Sequence, residues 1–247
     1  MTGSTAKLTE AELRTLAARG AADLEGANAE ELLRWTDEHF GAVAGPDGQS
    51  ECGYIVASNM QDGVLVAMAA EVRPGVPILF LDTGYHFPET VGTRDAVGSV
   101  YDVSLVNVTP QHTVAEQDTM LGADLFARDP GECCRLRKVV PLGATLSHYS
   151  AWVTGLRRVD APTRANAPLI SFDEAFHLVK INPLAAWTDQ DMQDYIDARG
   201  VLVNPLVEEG FPSIGCAPCT VKPAPGADAR SGRWQGSNKT ECGLHAS

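Results

Sequence analysis

Tyr54-Ile55-Val56-Ala57-Ser58-Asn59-Met60-Gln61-Asp62-Gly63, continued by Val64 to Val72 and then by Val76 to Leu81, is the stretch that decides the fold. A short apolar run enters a polar loop, the loop enters a segment that reads as a helix, and a second apolar run ends at Asp82-Thr83-Gly84. The pattern then repeats. Pro88-Glu89-Thr90 opens another helix with proline in its first turn, and Ser104 to Val108 reads as a third strand. Short strands alternating with helices imply an α/β domain with a mostly parallel sheet covered on both faces. Ligands of such sheets bind outside the carboxyl ends of the strands, here at Ser58 to Asp62 and Asp82 to Gly84.

Outward from this centre, Thr9 to Ala22 and Ala29 to Phe40 read as two amphipathic helices, with Leu13, Leu16, Leu32, Leu33, Trp35 and Phe40 at core spacing. On the other side, Gly131 to Val140 reads as one helix carrying Cys133, Cys134 and Lys138. Trp152-Val153-Thr154 and His177 to Ile181 read as strands, separated by the arginine-bearing loop Gly155 to Arg164. Thr188 suits the N-cap of a helix over Asp189 to Ala198 that Gly200 ends. Beyond Asn204, glycine, proline and polar residues dominate, and Val221 to Ser247 lacks sustained periodicity, the pattern of a mobile tail. The expected organisation is a helical segment over 1–48 packed on the core, an α/β domain over 49–205, and a C-terminal segment over 206–247.

The 247 residues suffice for one sizeable core, and 44% hydrophobic with 21% charged residues is ordinary for a soluble protein. No apolar run approaches the roughly 20 residues of a membrane helix, and the N-terminus lacks the apolar centre of a signal peptide. A cytoplasmic enzyme is the expectation. A net charge of −13 argues against a general nucleic-acid binder, whose phosphate affinity needs surplus Lys and Arg, but not against a small anion held by a local basic pocket.

Four of six cysteines form two tight groups, Cys133-Cys134 and Cys216-Ala217-Pro218-Cys219. In a reducing compartment such clusters read as metal-binding rather than as structural disulfides. Zinc sites draw ligand pairs from a spaced turn, so consecutive cysteines on one helix suit a single small ion awkwardly; the spacing favours a wider [4Fe–4S] cluster over zinc. Cys242 stands apart, with His245 three residues on and Arg230 and Arg233 upstream. Cationic neighbours favour the nucleophilic thiolate, and the residues alone leave it open between a working thiol and an idle tail cysteine. Lys138, the loop arginines Arg157, Arg158 and Arg164, and Arg230 and Arg233 are each surface charges or, together, a phosphate or sulfate cradle. The loop from Ser58 occupies the place of a phosphate-binding loop without the glycine pattern or Gly-Lys-Ser/Thr ending of nucleoside triphosphatases.

Leu81-Asp82-Thr83-Gly84 with Pro88-Glu89-Thr90, Thr154-Gly155-Leu156-Arg157-Arg158, both cysteine motifs and Glu241-Cys242-Gly243-Leu244-His245 resemble the phosphoadenylyl-sulfate and adenylyl-sulfate reductases. The resemblance spans Gly53 to the C-terminus, and the cysteine motifs mark the iron–sulfur branch, which looks like adenosine 5′-phosphosulfate (APS) reductase. It implies a doubly wound, adenine-nucleotide α-hydrolase-like fold, a [4Fe–4S] cluster on Cys133, Cys134, Cys216 and Cys219, and assimilatory sulfate reduction. By the same resemblance Cys242 attacks the sulfur of APS, and thioredoxin discharges the thiosulfonate. Substrate contacts fall to Ser58, Leu81, Lys138, Gly155, Arg164, Arg230, Arg233 and His245, with Leu81 and Gly155 acting through their backbones. Three alternatives follow from the same residues: a reductase that also accepts the 3′-phosphorylated substrate PAPS, an ATP-dependent sulfurtransferase or amidotransferase of this fold, and an iron–sulfur sensor. No membrane or nucleic-acid partner is expected, and the oligomeric state is left open, a homo-oligomer included.

Overall fold

The computed structural model describes residues 8–44, 50–234, 239, 241, 243 and 244. Six strands form the main sheet: β1 (Tyr54–Ala57), β2 (Val76–Leu81), β3 (Val103–Val108), β4 (Ala151–Thr154), β5 (Ile170–Asp173) and β6 (Leu178–Ile181). Their spatial order is β3-β2-β1-β4-β6-β5, all parallel except the edge strand β5, which runs antiparallel to β6. The chain therefore builds outward from β1 in one direction and from β4 in the other, which makes the β1–β4 boundary the topological switch point. Their register pairs Ala57 with Thr154, so both strands end level and release Ser58 and Gly155 side by side.

Ten helices flank the sheet among the described residues: α1 (Glu10–Asp23), α2 (Ala29–Phe40), α3 (Val64–Val72), α4 (Pro88–Val100), α5 (Val114–Leu121), α6 (Leu125–Arg128), α7 (Pro130–Cys134), α8 (Val140–Leu146), α9 (Asp189–Arg199) and α10 (Pro205–Glu208). Strand alternation splits the core in two. Tyr54, Val56, Ile78, Phe80 and Val153 pack with the apolar sides of α1, α2 and α3, whereas Ile55, Leu79, Trp152 and Leu178 face Leu142 and Leu146 of α8. Helix α3 is apolar almost all round and correspondingly buried from Val64 to Ala69. Capping boxes at Thr9, Asn28, Thr113 and Thr188 start α1, α2, α5 and α9, each with an acidic residue at the third helical position. No helix of the described residues is long and apolar enough to cross a membrane.

Two sequence expectations change. The single helix expected over Gly131 to Val140 is α7, then a π-helical turn over Arg135–Val139, then the start of α8. The wide turn precedes Pro141, whose ring excludes an ordinary bond back to the carbonyl four residues earlier; Val140 N–H instead donates to Arg135 O. His177 is not a strand residue. At φ 56° it closes the tight turn between β5 and β6, its N–H donating to Asp173 O at 2.8 Å.

Candidate active site

A cavity of about 540 Å³ opens at the switch point, over the carboxyl ends of β1, β2 and β4. Ser58, Leu81 and Gly155 all line it. Local hydrogen bonds shape the first loop: Met60 N–H donates to Ser58 Oγ at 3.2 Å, Gln61 N–H to Asn59 Oδ1 at 3.2 Å, and Val64 N–H to Asp62 Oδ1 at 3.1 Å. Burial pushes the Asp62 carboxyl up, against the bond from Val64 N–H and the charge of Arg157, which favour its ionised form.

Besides Arg157, four cations reach this cavity from separate segments: Lys138 from the π turn, Arg164 from the loop after β4, and Arg230 and Arg233 from the C-terminal segment. The last two are brought back by a local pairing. Thr220 bridges antiparallel to Arg233, Val221 N–H donates to Gly232 O at 2.9 Å, and Trp234 N–H to Cys219 O at 3.0 Å. The Cys216–Cys219 turn is itself tied to the loop after β2, because Ala217 N–H donates to Tyr85 O at 2.7 Å. Arg233 lies 4.6 Å and Arg230 5.9 Å from the ring centroid of Trp234, a cation–π support that costs neither guanidinium its forward donors. Arg233 passes over Gly215, where a side chain would collide with it: a Cβ there would stand 2.0 Å from Nη2.

Beside this cavity lies a second, smaller one lined by Cys133, Cys134, Cys216 and Cys219 together with Tyr85, Phe126, Arg137 and Trp234. Three of the four thiols are buried and Cys219 is half-buried. Burial first, then the charges of Cys134, Cys216 and Cys219, push the Cys133 thiol up to about 12. Burial and the Cys216 and Cys134 charges likewise push Cys219 up to about 11, opposed by Lys138 and Arg233. Four thiolates this close cannot ionise together without a cation among them. The donor set is all sulfur, which fits a thiolate-ligated group. Lys138, Cys216 and Trp234 line both cavities and form the wall between them.

The structure thus gathers Ser58, Leu81, Lys138, Gly155, Arg164, Arg230 and Arg233 on one cavity and the four clustered cysteines on its neighbour. Cys242 and His245 lie outside the described residues. Arg158 does not join the cradle: its Nε donates to Ala167 O at 2.9 Å. Arg157 lines the cavity but is paired at 2.9 Å with both Asp160 and Asp189. Sequence reasoning passed over three contributors. His86 lines the cavity and holds Leu81 O with Nε2 at 2.7 Å. Thr83 Oγ1 lies 3.3 Å from Cys216 Sγ, and Glu241 reaches Arg164. Only the last had a sequence signal, a carboxylate directly before the isolated cysteine.

A doubly wound sheet of the adenine-nucleotide α-hydrolase type, with a cation-lined cavity at its switch point and four thiols behind it, defines the class. Residues 51–222 match the model of the phosphoadenosine phosphosulfate reductase domain. The chain belongs to that family. It is 72% identical over 254 residues to an adenosine 5′-phosphosulfate reductase of Mycobacterium tuberculosis, covering 100% of both chains. It is 74% identical over 239 residues to the enzyme of the same name from Mycolicibacterium smegmatis, covering 97% of each. Among solved structures it is similar to a phosphoadenylyl-sulfate reductase from Candida auris, with a TM-score of 0.69, 25% identity, and coverage of 83% of this chain and 96% of that one.

Proposed function

We propose that this protein reduces adenosine 5′-phosphosulfate to sulfite and AMP in sulfate assimilation, with Cys242 as nucleophile and thioredoxin as reductant. The observation that carries the reading is the convergence of Lys138, Arg164, Arg230 and Arg233 on one cavity at the ends of β1, β2 and β4. The relatives covering the whole chain bear the name of the APS enzyme, which favours APS over PAPS.

The Cys242 thiolate attacks the sulfur of APS. The bond between that sulfur and the bridging oxygen breaks, AMP leaves with the electron pair, and a thiosulfonate forms on Sγ. A thioredoxin thiolate then attacks Sγ and expels sulfite, and its second thiol frees Cys242. Each turnover consumes two electrons from one dithiol. An anionic nucleophile meeting a sulfo group must overcome repulsion, and fixed cations in a partly enclosed site are the means of doing so. Lys138, Arg164, Arg230 and Arg233 serve that role, while the backbones at Leu81 and Gly155 and the Ser58 loop orient the nucleotide. Cys133, Cys134, Cys216 and Cys219 would hold a [4Fe–4S] cluster, which would supply structural support and charge beside the cavity. Lys138, which lines both cavities, stands between that group and the substrate site.

Incubation with sulfur-labelled APS and no reductant tests the reading. Label should be retained covalently, lost in Cys242→Ser, and discharged as sulfite by reduced thioredoxin. Turnover surviving Cys242→Ser would end it.

A further inference from the structure

The arginine cradle already grips a carboxylate. Glu241 Oε1 accepts from Arg164 Nε at 2.9 Å, and Oε2 accepts from Arg164 Nη2 at 2.7 Å and Arg230 Nη2 at 3.1 Å. Thr163 Oγ1 donates to Oε1 at 3.2 Å. The two Arg164 bonds form a bidentate fork, the geometry in which a guanidinium takes a phosphoryl or sulfo group. Arg164 Nη1 is turned to Asp160 Oδ2 at 3.5 Å, so the fork facing Glu241 cannot also take a second anion bidentately. The contact is shielded: the Arg164, Arg230 and Glu241 side chains are 11%, 16% and 24% exposed.

We propose that Glu241 competes with the anionic oxygens of the nucleotide for Arg164 and Arg230, so that substrate entry lifts Glu241 off the cradle. The proposal rests on the reductase reading above. Its logic is exchange of like for like. A carboxylate and a sulfo or phosphoryl group both use two oxygens against the same fork, and neither leaves the guanidiniums bare in a partly buried site, where an unpaired charge is costly. Burial would raise the Glu241 carboxyl, but the bonds and charge of Arg164, then Arg230 and Thr163, outweigh it and hold the group ionised at neutral pH.

Calorimetric titration of the full-length, cluster-loaded protein in a Cys242→Ser background, where APS binds without reacting, provides the test. Glu241→Gln should tighten APS about tenfold, a competitor worth about 1.4 kcal/mol. Adenosine, which carries no anion, should bind Glu241→Gln and its parent within about twofold of each other. Glu241→Asp, which keeps the charge, should restore the parent's APS affinity to within about threefold. Unchanged or weakened APS binding by Glu241→Gln would overturn the exchange. Equal tightening of adenosine, the mark of a loosened segment, would do so too, as would equal tightening by Glu174→Gln, an exposed carboxylate paired with Arg14 outside the cavity and so the mark of charge at long range. Failure of every one of these proteins to bind APS would overturn both the exchange and the reductase reading.

Discussion

Gly215→Ala separates the placement of Arg233 from its presence. A Cβ at Gly215 would stand 2.0 Å from Arg233 Nη2 and 2.4 Å from Cζ, both atoms at the far end of a flexible side chain. Restoring an ordinary 3.4 Å contact moves the guanidinium by about 1.4 Å, and no backbone atom has to shift. For an anion about 4 Å away at an effective dielectric near 20, that displacement forfeits about 1 kcal/mol of attraction, roughly sixfold in rate. Loss of a directed donor to the developing charge adds up to about 2.7 kcal/mol, which brings the expected total to between tenfold and several hundredfold. The assay is single-turnover formation of the Cys242 adduct from labelled APS, run beside thermal unfolding. Unfolding should move by no more than about 2 °C, because the clash is relieved in a side chain. The double variant Gly215→Ala with Arg233→Ala should be no slower than Arg233→Ala alone. If alanine at 215 slows the Arg233→Ala protein as much as the wild type, the glycine acts through something other than Arg233 and the reasoning fails.

Lys138→Ala should slow adduct formation about a hundredfold, since Lys138 touches both cavities; a Lys138→Ala rate within threefold of wild type would remove it from the mechanism. His86 is held neutral: burial lowers its pKa below the ordinary 6.5, against the bond to Leu81 O and the charge of Asp82. A depressed folded pKa means stability present above pH 6.5 and lost as pH falls through the folded value, so unfolding temperature should drop between pH 7 and 5 more steeply in wild type than in His86→Gln. Leu142→Ala empties a fully buried site against Ile55, Leu79 and Trp152 and should cost about 2–5 kcal/mol, read as a loss of roughly 5–15 °C in melting temperature. Cys134→Ser, prepared without air, should lose the visible absorption and the iron of the wild type by spectroscopy and metal analysis; retention of both would exclude Cys134 as a ligand.

Element starts and stops are legible wherever an apolar run meets a polar loop: strands Tyr54–Ala57 and Val76–Leu81 and helix Val64–Val72 lie where the sequence pattern puts them. Thr188 and Gly200 bound α9 as expected, because caps are local. The edge strand Ile170–Asp173 was missed: it is short, and pairs antiparallel to β6 in a sheet whose other pairs are parallel. Helix α5 was missed despite its Thr113/Glu116 capping box, a signal present in the sequence and not used. At the site, the split was between local motif and distant partner. The cysteine groups and the strand-end loops declared themselves within a few residues. Nothing local distinguished Arg164, which meets Glu241 across 77 positions, from Arg158, which turns away to Ala167 O. Such choices are made by tertiary packing.

An acidic chain can hold four cations in one cavity only if each is anchored. Unanchored, Lys138, Arg164, Arg230 and Arg233 would splay into solvent, and ordering them on substrate arrival would consume binding energy. Asp160 and Glu241 pair with Arg164, Glu241 also pairs with Arg230, Ser213 Oγ lies 3.4 Å from Arg233 Nη1, and Trp234 backs both tail arginines. The surplus of acidic residues is therefore not opposed to an anionic substrate. Some of those carboxylates are what keep the guanidiniums pointed inward, and by the exchange proposed above one of them, Glu241, uses donors that the substrate would take. Pre-organisation and competition come from the same contact, so weakening it trades affinity against the rate of the first chemical step.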